Sequence, residues 1–224
     1  MMFLPQQISG SIYLVRFDES AKMAKALLRF QEFYESPKFR GEIFTLEEFK
    51  RWRVEQTGAF TYYTDWTGFN FPSWVLAPFR EGKFGELSYE EQLVVGATAD
   101  ISEPFYLISV ANKRSNEDGT TEPYDVDTSA LRHEIAHGLW STNPEYRAEM
   151  LAEMEGCNLS PFYRWIRQNM YHPATWLDEA HAYLTCDFGY LLEKGAKVEE
   201  LRDVSELMTK TFDYYTECKF VGGI

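Results

Sequence analysis

The chain has 224 residues, of which 45% are hydrophobic and 25% are charged; this composition is ordinary for a globular protein and excludes a disordered chain. Its formal net charge of −13 argues against nucleic acid as a partner, because a phosphate backbone repels an acidic surface. No run approaches the roughly 18 apolar residues that a membrane-spanning helix needs, so we expect no membrane partner.

Targeting and redox signals both favour the cytoplasm. The N-terminal segment lacks a basic region and a long apolar core, so it does not predict a secretory signal peptide. The three cysteines, Cys157, Cys186 and Cys218, are an odd number without C-x-x-C spacing. This pattern argues against a disulfide framework and against a cysteine-zinc site. We therefore expect a cytoplasmic enzyme.

The first half of the chain mixes strand and helix signals. β-Branched and aromatic runs predict strands, and two capping boxes predict helix starts. The aromatic segment 65–79 is predicted to be an ordered loop packed by its own rings, and the polar segment 113–125 a flexible loop. In chain order, the predicted regular elements are a strand at 11–17, a helix at 19–35, a helix from Thr45 to about Gln56, a short helix after Ser88, and a strand at 105–112.

The second half predicts helices almost throughout. Prolines that suit the first turn of a helix mark several of the starts. After the helix that carries the motif described below, the predicted starts are Pro144, Ser160 as cap with Pro161, Pro173, and about Val198 for a helix that ends near Cys218. The predicted fold class is therefore α+β, as a single domain 1–224 with a mixed, strand-containing part at 1–126 and a helical part at 127–224.

Residues 131–140 read LRHEIAHGLW and contain two of the chain's four histidines. His133 and His137 are four positions apart, so on an α-helix both imidazoles lie on one face and can bind one ion. Glu134 is rotated by about 100° around the axis, so it can lie beside the ion and exchange protons with water. H-E-x-x-H on a helix is the signature of zinc metallopeptidases, which predicts a zinc ion (Zn2+) as cofactor and Glu134 as the catalytic residue.

The surroundings of the motif agree with a helix. Leu131, Ile135 and Leu139 form an i, i+4, i+8 stripe that can be buried while the imidazoles face a cleft. Gly138 lies one turn beyond Glu134 and is expected to leave open space beside it. Candidate N-cap residues precede the helix; they are Asp127, Thr128 and Ser129.

The two histidines require a further ligand, because catalytic zinc usually has three protein ligands and a water. The pattern H-E-x-x-H-x-x-G-x-x-H is excluded, since Trp140 occupies its glycine position and Asn143 its third histidine. A glutamate on a later helix is the other common solution. Glu179 lies among apolar neighbours in 176–184, where an unpaired carboxylate is costly and a metal relieves that cost. The residues alone also leave three other ligands open, namely Asp178, His181 and Glu149.

The segment WLDEAHAYL, 176–184, resembles the second zinc motif of the gluzincin metallopeptidases, in particular the W-L-N-E-G of their aminopeptidases, whose glutamate is a ligand. This resemblance covers two short motifs and implies a zincin-like fold with His133, His137 and Glu179 as ligands. The interval between the motifs is longer than in those aminopeptidases, and no G-A-M-E-N-like segment is present, so exopeptidase activity is not implied. The resemblance also suggests that the strand at 105–112 pairs with an extended substrate.

These observations predict a zinc-dependent metallopeptidase that acts on a peptide or protein substrate, with Glu134 as general base. Two alternatives keep the motif and change its use: a non-haem iron enzyme with a 2-His-1-carboxylate site, and a non-catalytic zincin-like binding protein. The oligomeric state and the residue that stabilises the oxyanion stay open.

Overall fold

A small mixed sheet lies between two groups of helices. The computed structural model describes residues 4–124, 130–169 and 171–219, with side chains up to residue 217. In these ranges the fold is α+β, as the sequence predicts, with every strand before residue 124. The strands are β1 (Gln6–Ser9), β2 (Ile12–Phe17), β3 (Gly68–Pro72), β4 (Tyr106–Ala111), β5 (Lys113–Ser115) and β6 (Thr121–Pro123).

The main sheet has the order β1-β2-β4-β3, and β5 pairs with β6 in a separate hairpin. β2 and β4 run parallel, whereas the β1–β2 and β3–β4 pairs are antiparallel. All six residues of β4 are buried, because β4 has neighbours on both edges and helices on both faces. The predicted strands at 11–17 and 105–112 are confirmed as β2 and β4.

The helices cover both faces of the sheet. Both predicted capping boxes form, since Glu48 N donates to Thr45 Oγ1 at 3.2 Å and Glu91 N donates to Ser88 Oγ at 3.2 Å. The prediction for Ser160 is wrong by one position, because Ser160 begins its helix and does not cap it. The helices are α1 (Ser20–Glu35), α2 (Leu46–Thr57), α3 (Tyr62–Asp65), α4 (Ala77–Arg80), α5 (Tyr89–Ala97), α6 (Ala130–Thr142), α7 (Pro144–Glu153), α8 (Ser160–Gln168), α9 (Trp176–Cys186), α10 (Phe188–Glu193) and α11 (Arg202–Lys219).

The pleat of the strands divides the core into two apolar clusters. Leu14 and Ile108 point to the side covered by the helices from α6 onward. Val15 and Leu107, their neighbours in sequence, point to the side covered by α1 and the aromatic segments around α2 to α5. The helix that carries H-E-x-x-H therefore packs directly on one face of the sheet.

The segment 65–79 contains a strand that the sequence analysis assigned to a loop. Gly68–Pro72 forms β3, which is the edge strand of the sheet and pairs with β4 on one side only. Its Gly, Asn and Pro are depleted in strands, and an edge position tolerates them because half of the backbone groups need no strand partner. The prediction that aromatic rings pack this segment is confirmed, with Phe69 and Phe71 both buried.

The segment 113–124 is also more regular than predicted. Instead of a flexible loop it forms the β5–β6 hairpin, in which Arg114 lies opposite Glu122. Gly119 has φ +82°, which the tight turn between the two strands requires. The polar composition of a short, exposed hairpin is the same as that of a loop, so the sequence pattern did not distinguish them.

The structure bears on the predictions about membrane-spanning helices and disulfides. In the described ranges no helix combines the length and the apolar character needed to cross a bilayer. Cys157 and Cys186 are unpaired thiols. The remaining predictions fall outside the described part of the chain; they concern the N-caps Asp127, Thr128 and Ser129 and the side chain of Cys218.

Candidate metal centre

Helices α6 and α9 bring His133, His137 and Glu179 into one cluster. The Nε2 atoms of the two histidines are 3.0 Å apart. The Glu179 carboxylate lies 3.9 Å from His133 Nε2 and 3.7 Å from His137 Nε2. Ligand atoms in a tetrahedral site with bonds of about 2.0–2.1 Å lie about 3.3 Å from one another. The three residues are therefore spaced as a single zinc-sized cation requires.

The apolar stripe of α6 sets the direction of its histidines. Leu131, Ile135 and Leu139 are at most 2% exposed and pack in the core, so the opposite side of the helix faces a cavity. The expected open space at Gly138 is absent, because a Cβ there would come within 3.0 Å of the Ile12 side chain. Gly138 instead lets α6 approach β2 closely.

Two aspartates hold the far side of each imidazole. Asp187 Oδ2 is 2.6 Å from His133 Nδ1, and Asp178 Oδ1 is 2.9 Å from His137 Nδ1. A neutral imidazole that donates from Nδ1 has a bare lone pair on Nε2. When both imidazoles donate from Nδ1 to these aspartates, the two Nε2 atoms face each other as acceptors at 3.0 Å, an arrangement that a shared cation would stabilise.

The buried carboxyl of Glu179 lacks a hydrogen-bond partner on one of its oxygens. The residue is 3% exposed, and its Oε2 has no hydrogen-bond donor among the described residues. Burial raises the pKa of the Glu179 carboxyl well above its ordinary value, and the negative charges of Glu35 and Asp178 raise it further. A divalent cation would provide both the missing contact and the missing positive charge, so the donor set fits a metal ion.

Glu134 lies beside this cluster in a niche formed by β3. Its carboxyl is 6% exposed, and Oε2 accepts a hydrogen bond of 2.8 Å from Asn70 Nδ2. A Cβ on Gly68 would lie only 2.2 Å from Glu134 Oε1, so glycine is required for this approach. Burial raises the pKa of Glu134 to about 7, against the lowering effects of the His133 charge and the Asn70 hydrogen bond.

Asn70 is itself fixed by two further hydrogen bonds. The Tyr106 hydroxyl donates to Asn70 Oδ1 at 2.5 Å, and the backbone N–H of Asn70 donates to Gln31 Oε1 at 3.1 Å. The amide therefore presents its NH2 group to Glu134 in one orientation only. Three elements, α1, β3 and β4, cooperate to hold the Glu134 carboxylate.

One cavity of about 260 Å³ contains the cluster and Glu134. Tyr171 and Tyr183 also line it, and the ring centroid of Tyr183 is 4.7 Å from that of His133. Burial raises the pKa of both hydroxyls well above the ordinary tyrosine value, so both remain hydrogen-bond donors at neutral pH. The cavity can thus offer a cation site, a carboxylate and O–H donors to one bound molecule.

The other ligand candidates from the sequence have different partners. Glu149 accepts a hydrogen bond of 2.8 Å from the Tyr215 hydroxyl. His181 is fully buried, with Nε2 2.7 Å from the Tyr146 hydroxyl. Burial would raise the pKa of Asp178, but the charge and hydrogen bond of His137, with His181 nearby, lower it to about 2. Asp178 is therefore an ionised partner of His137 and lies behind the cluster.

The expectation that the strand at 105–112 pairs with a substrate is wrong. β4 is bonded to β2 on one edge and to β3 on the other, so no edge of it is free. The edge strand next to the cavity is β3, and its Asn70 N–H already donates to Gln31. Strand pairing with a bound peptide would have to use the Gly68 end of β3.

Sequence reasoning missed Gly68, Asn70 and Asp187. The first two lie more than 60 positions before Glu134, in a segment whose composition predicted a loop. Asp187 follows the last residue of α9, and its contact with His133 depends on how α9 packs against α6. The only available signal was general, since metal-bound histidines usually donate their second N–H to a carboxylate.

Compared along its length, the chain matches no protein-family model, no curated protein and no solved structure.

Proposed function

We propose that this protein is a zinc-dependent hydrolase of peptide bonds, a zincin-like enzyme with His133, His137 and Glu179 as metal ligands. The observation that carries the proposal is the pair of Nε2 atoms 3.0 Å apart, on two imidazoles that each have an aspartate beside Nδ1. An imidazole that donates from Nδ1 to its aspartate has only a lone pair at Nε2, so one cation would satisfy both nitrogens and the Glu179 carboxylate as well.

Glu134 has the position and the protonation behaviour of a general acid–base. A bound zinc ion supplies Lewis acidity that polarises water and the substrate carbonyl. With a pKa of about 7, the Glu134 carboxyl can accept a proton from water and return it to the leaving amine near neutral pH. Asn70 keeps this carboxyl in place, and Tyr171 and Tyr183 are the O–H donors available to a developing oxyanion.

The cavity supports a peptide segment as the substrate. Its volume of about 260 Å³ holds only a small part of a protein, so a longer substrate would enter as an extended segment. The unpaired thiols Cys157 and Cys186 fit a reducing compartment, and we place the reaction in the cytoplasm.

The built niche around Glu134 favours hydrolysis over the two alternative functions. A 2-His-1-carboxylate iron site has no use for a second, oriented carboxyl beside the metal. A protein in which the metal serves only binding or only folding does not require Gly68, which allows the close approach of Glu134, or Asn70, which orients its carboxyl. Glu134 is therefore best explained as a reacting group.

The test is metal analysis together with a cleavage assay on short random-sequence peptides read by mass spectrometry. We expect about one zinc per chain in the wild type and in Glu134→Gln, with cleavage reduced about 10²- to 10⁴-fold in the variant. Glu155→Gln, an exposed glutamate away from the cavity, is the matched control and should retain full activity. Bound zinc with unchanged activity in Glu134→Gln would remove Glu134 from its role, and bound iron with oxygen consumption would replace the proposal.

A further inference from the structure

Two cationic side chains line the cavity that contains the metal centre. Arg114 on β5 and Lys194 just after α10 both contribute to its wall, and both are exposed. The rest of that wall is rich in acids, which include Glu35, Glu134 and Glu179. Two cations at the opening of an acidic cavity, in a chain with a net charge of −13, call for a specific explanation.

Both cations line the same cavity as Tyr190. Lys194 Nζ lies 5.4 Å from the centroid of the Tyr190 ring. Burial and the charge of Asp187 raise the pKa of the Tyr190 hydroxyl, and the positive charge of Arg114 acts in the opposite direction. Arg114 and Lys194 thus belong to different elements and lie at the same part of the cavity mouth.

The internal contacts of the protein do not account for these charges. Among the residues that the structure describes, neither Arg114 nor Lys194 forms an ion pair, whereas Arg29, Arg80 and Arg132 each do. Glu122 is the cross-strand neighbour of Arg114, but the side chains of these two described residues form no ion pair. Both cations are therefore available to a bound molecule.

A series of aromatic rings relates the cations to the metal centre. Tyr190 stacks on Tyr183 with centroids 6.3 Å apart, and the Tyr183 ring is 4.7 Å from that of His133. Two aromatic rings, those of Tyr190 and Tyr183, therefore lie between Lys194 and His133. These contacts limit the separation to about 16 Å at most. An extended peptide advances about 3.3–3.6 Å per residue, so the separation corresponds to no more than about five residues.

Resting on the function proposed above, we propose that Arg114 and Lys194 form an anion subsite that selects peptides with a carboxylate within about five residues of the cleaved bond. The carboxylate is that of an Asp or Glu side chain or of the peptide C-terminus. The guanidinium can bind it with two parallel hydrogen bonds, and the ammonium adds a point charge. The acidic wall deeper in the cavity repels the same group, which fixes the direction in which the peptide binds.

The experiment separates binding from cleavage. Zinc-loaded Glu134→Gln protein is immobilised and captures peptides from a short random-sequence library made with free-acid and with amidated C-termini. Mass spectrometry then compares captured with input peptides for free acid against amide and for Glu against Gln at each position. The same captures are repeated with Arg114→Gln, with Lys194→Gln and with both, and the wild type is assayed for cleavage in parallel.

We expect captured peptides to be enriched in carboxylates, with each single substitution reducing the enrichment about two- to fivefold and higher salt reducing it further. The position-specific enrichment identifies a side-chain source, and the free-acid arm identifies the C-terminus. Lys113→Gln and Lys197→Gln remove exposed lysines that do not line the cavity, and they should leave the enrichment unchanged.

Capture without carboxylate enrichment, or enrichment that survives the double substitution, would overturn the subsite. If the wild type cleaves peptides under that outcome, the proposed hydrolase stands without this specificity. If carboxylate peptides are selected but nothing is cleaved, the subsite stands and peptide hydrolysis is overturned. The side chains of Lys113, Arg114, Lys194 and Lys197 are exposed, so thermal unfolding should confirm that these variants fold as the Glu134→Gln parent does.

Discussion

Two buried clusters of charged side chains differ in whether the protein itself supplies all of their hydrogen-bond and charge partners. Arg29 and Glu91, 7% and 4% exposed, form a bidentate pair with contacts of 2.6 and 2.5 Å. Arg29 also donates to the Phe84 carbonyl, and Glu91 also accepts the backbone N–H of Ser88. Charge and hydrogen bonds are both balanced, so this cluster needs nothing from outside.

In the His133–His137–Glu179 cluster, neither the charges nor the hydrogen bonds are balanced. Two acceptor nitrogens face each other, and one buried carboxylate oxygen has no donor among the described residues. A buried unsatisfied group costs about 1–3 kcal/mol, and more when it is charged. The comparison teaches that a buried ionisable group does not by itself indicate function. A buried ionisable group that also lacks a hydrogen-bond or charge partner indicates a binding site for a ligand.

The largest expected effect comes from substituting the glutamate in each cluster. Glu91→Gln leaves the Arg29 charge buried without its partner, so we expect the free energy of unfolding to fall by about 3–5 kcal/mol with or without zinc. Glu179→Gln replaces a buried carboxyl whose Oε2 has no donor among the described residues, and it brings an NH2 group toward the two Nε2 atoms. We expect the metal-free protein to be as stable as the wild type or more so, with zinc affinity greatly reduced. Chemical denaturation with and without zinc measures both, and a large loss of metal-free stability in Glu179→Gln would contradict the comparison.

Another buried carboxyl, Glu32 on α1, extends the comparison to the pH dependence of stability. Burial raises its pKa from 4.5 to about 7, against the lowering effects of hydrogen bonds from Tyr62 and Ser36. The folded state therefore holds a proton that the unfolded state releases, so this contribution is full below pH 4.5 and is lost as pH rises to about 7. The loss amounts to about 3 kcal/mol at most. Glu32→Gln should flatten the stability profile between these pH values, and an unchanged slope would contradict the assignment.

Gly68→Ala tests the niche of Glu134 without touching any metal ligand. The new Cβ would lie 2.2 Å from Glu134 Oε1, so the carboxylate must move. A displacement near 1 Å costs about 10²-fold in rate, and we expect cleavage to fall by about that factor while zinc content stays the same. Gly96→Ala is the matched control, because Gly96 lies in α5 with open space around its Cβ position. Equal activity in the two variants would show that the approach of Glu134 to β3 is unimportant.

Asp187→Asn tests the carboxylate behind His133. An asparagine oxygen still accepts from Nδ1 but carries no charge, so the imidazole becomes a weaker ligand. We expect zinc affinity to fall about 10- to 100-fold, as for other partners of metal-bound histidines. Asp213→Asn breaks the surface pair with Arg132 and should leave zinc affinity unchanged. Competition with a chromogenic chelator measures both, and identical affinities would remove Asp187 from the site.

The sequence predicted the parts of this site that depend on spacing within one helix. His133, Glu134 and His137 share a turn, and the apolar stripe of α6 shows which side of that helix is buried. Glu179 was reached by resemblance and by its apolar neighbours. Asn70 and Gly68 were not found, because their role depends on a five-residue edge strand whose composition is that of a loop. Register between distant segments is set by tertiary packing, and no local pattern reports it.

The central claim is that His133, His137 and Glu179 bind one cation. Its most direct test is a crystal structure of the zinc-soaked protein with anomalous data collected on both sides of the zinc absorption edge. We predict one peak bonded to both Nε2 atoms and to the Glu179 carboxylate at about 2.0–2.2 Å, with an open position on the cavity side next to Glu134. No peak at this position under saturating zinc, or a zinc ion bound elsewhere while Glu179 points away from both rings, would contradict the claim.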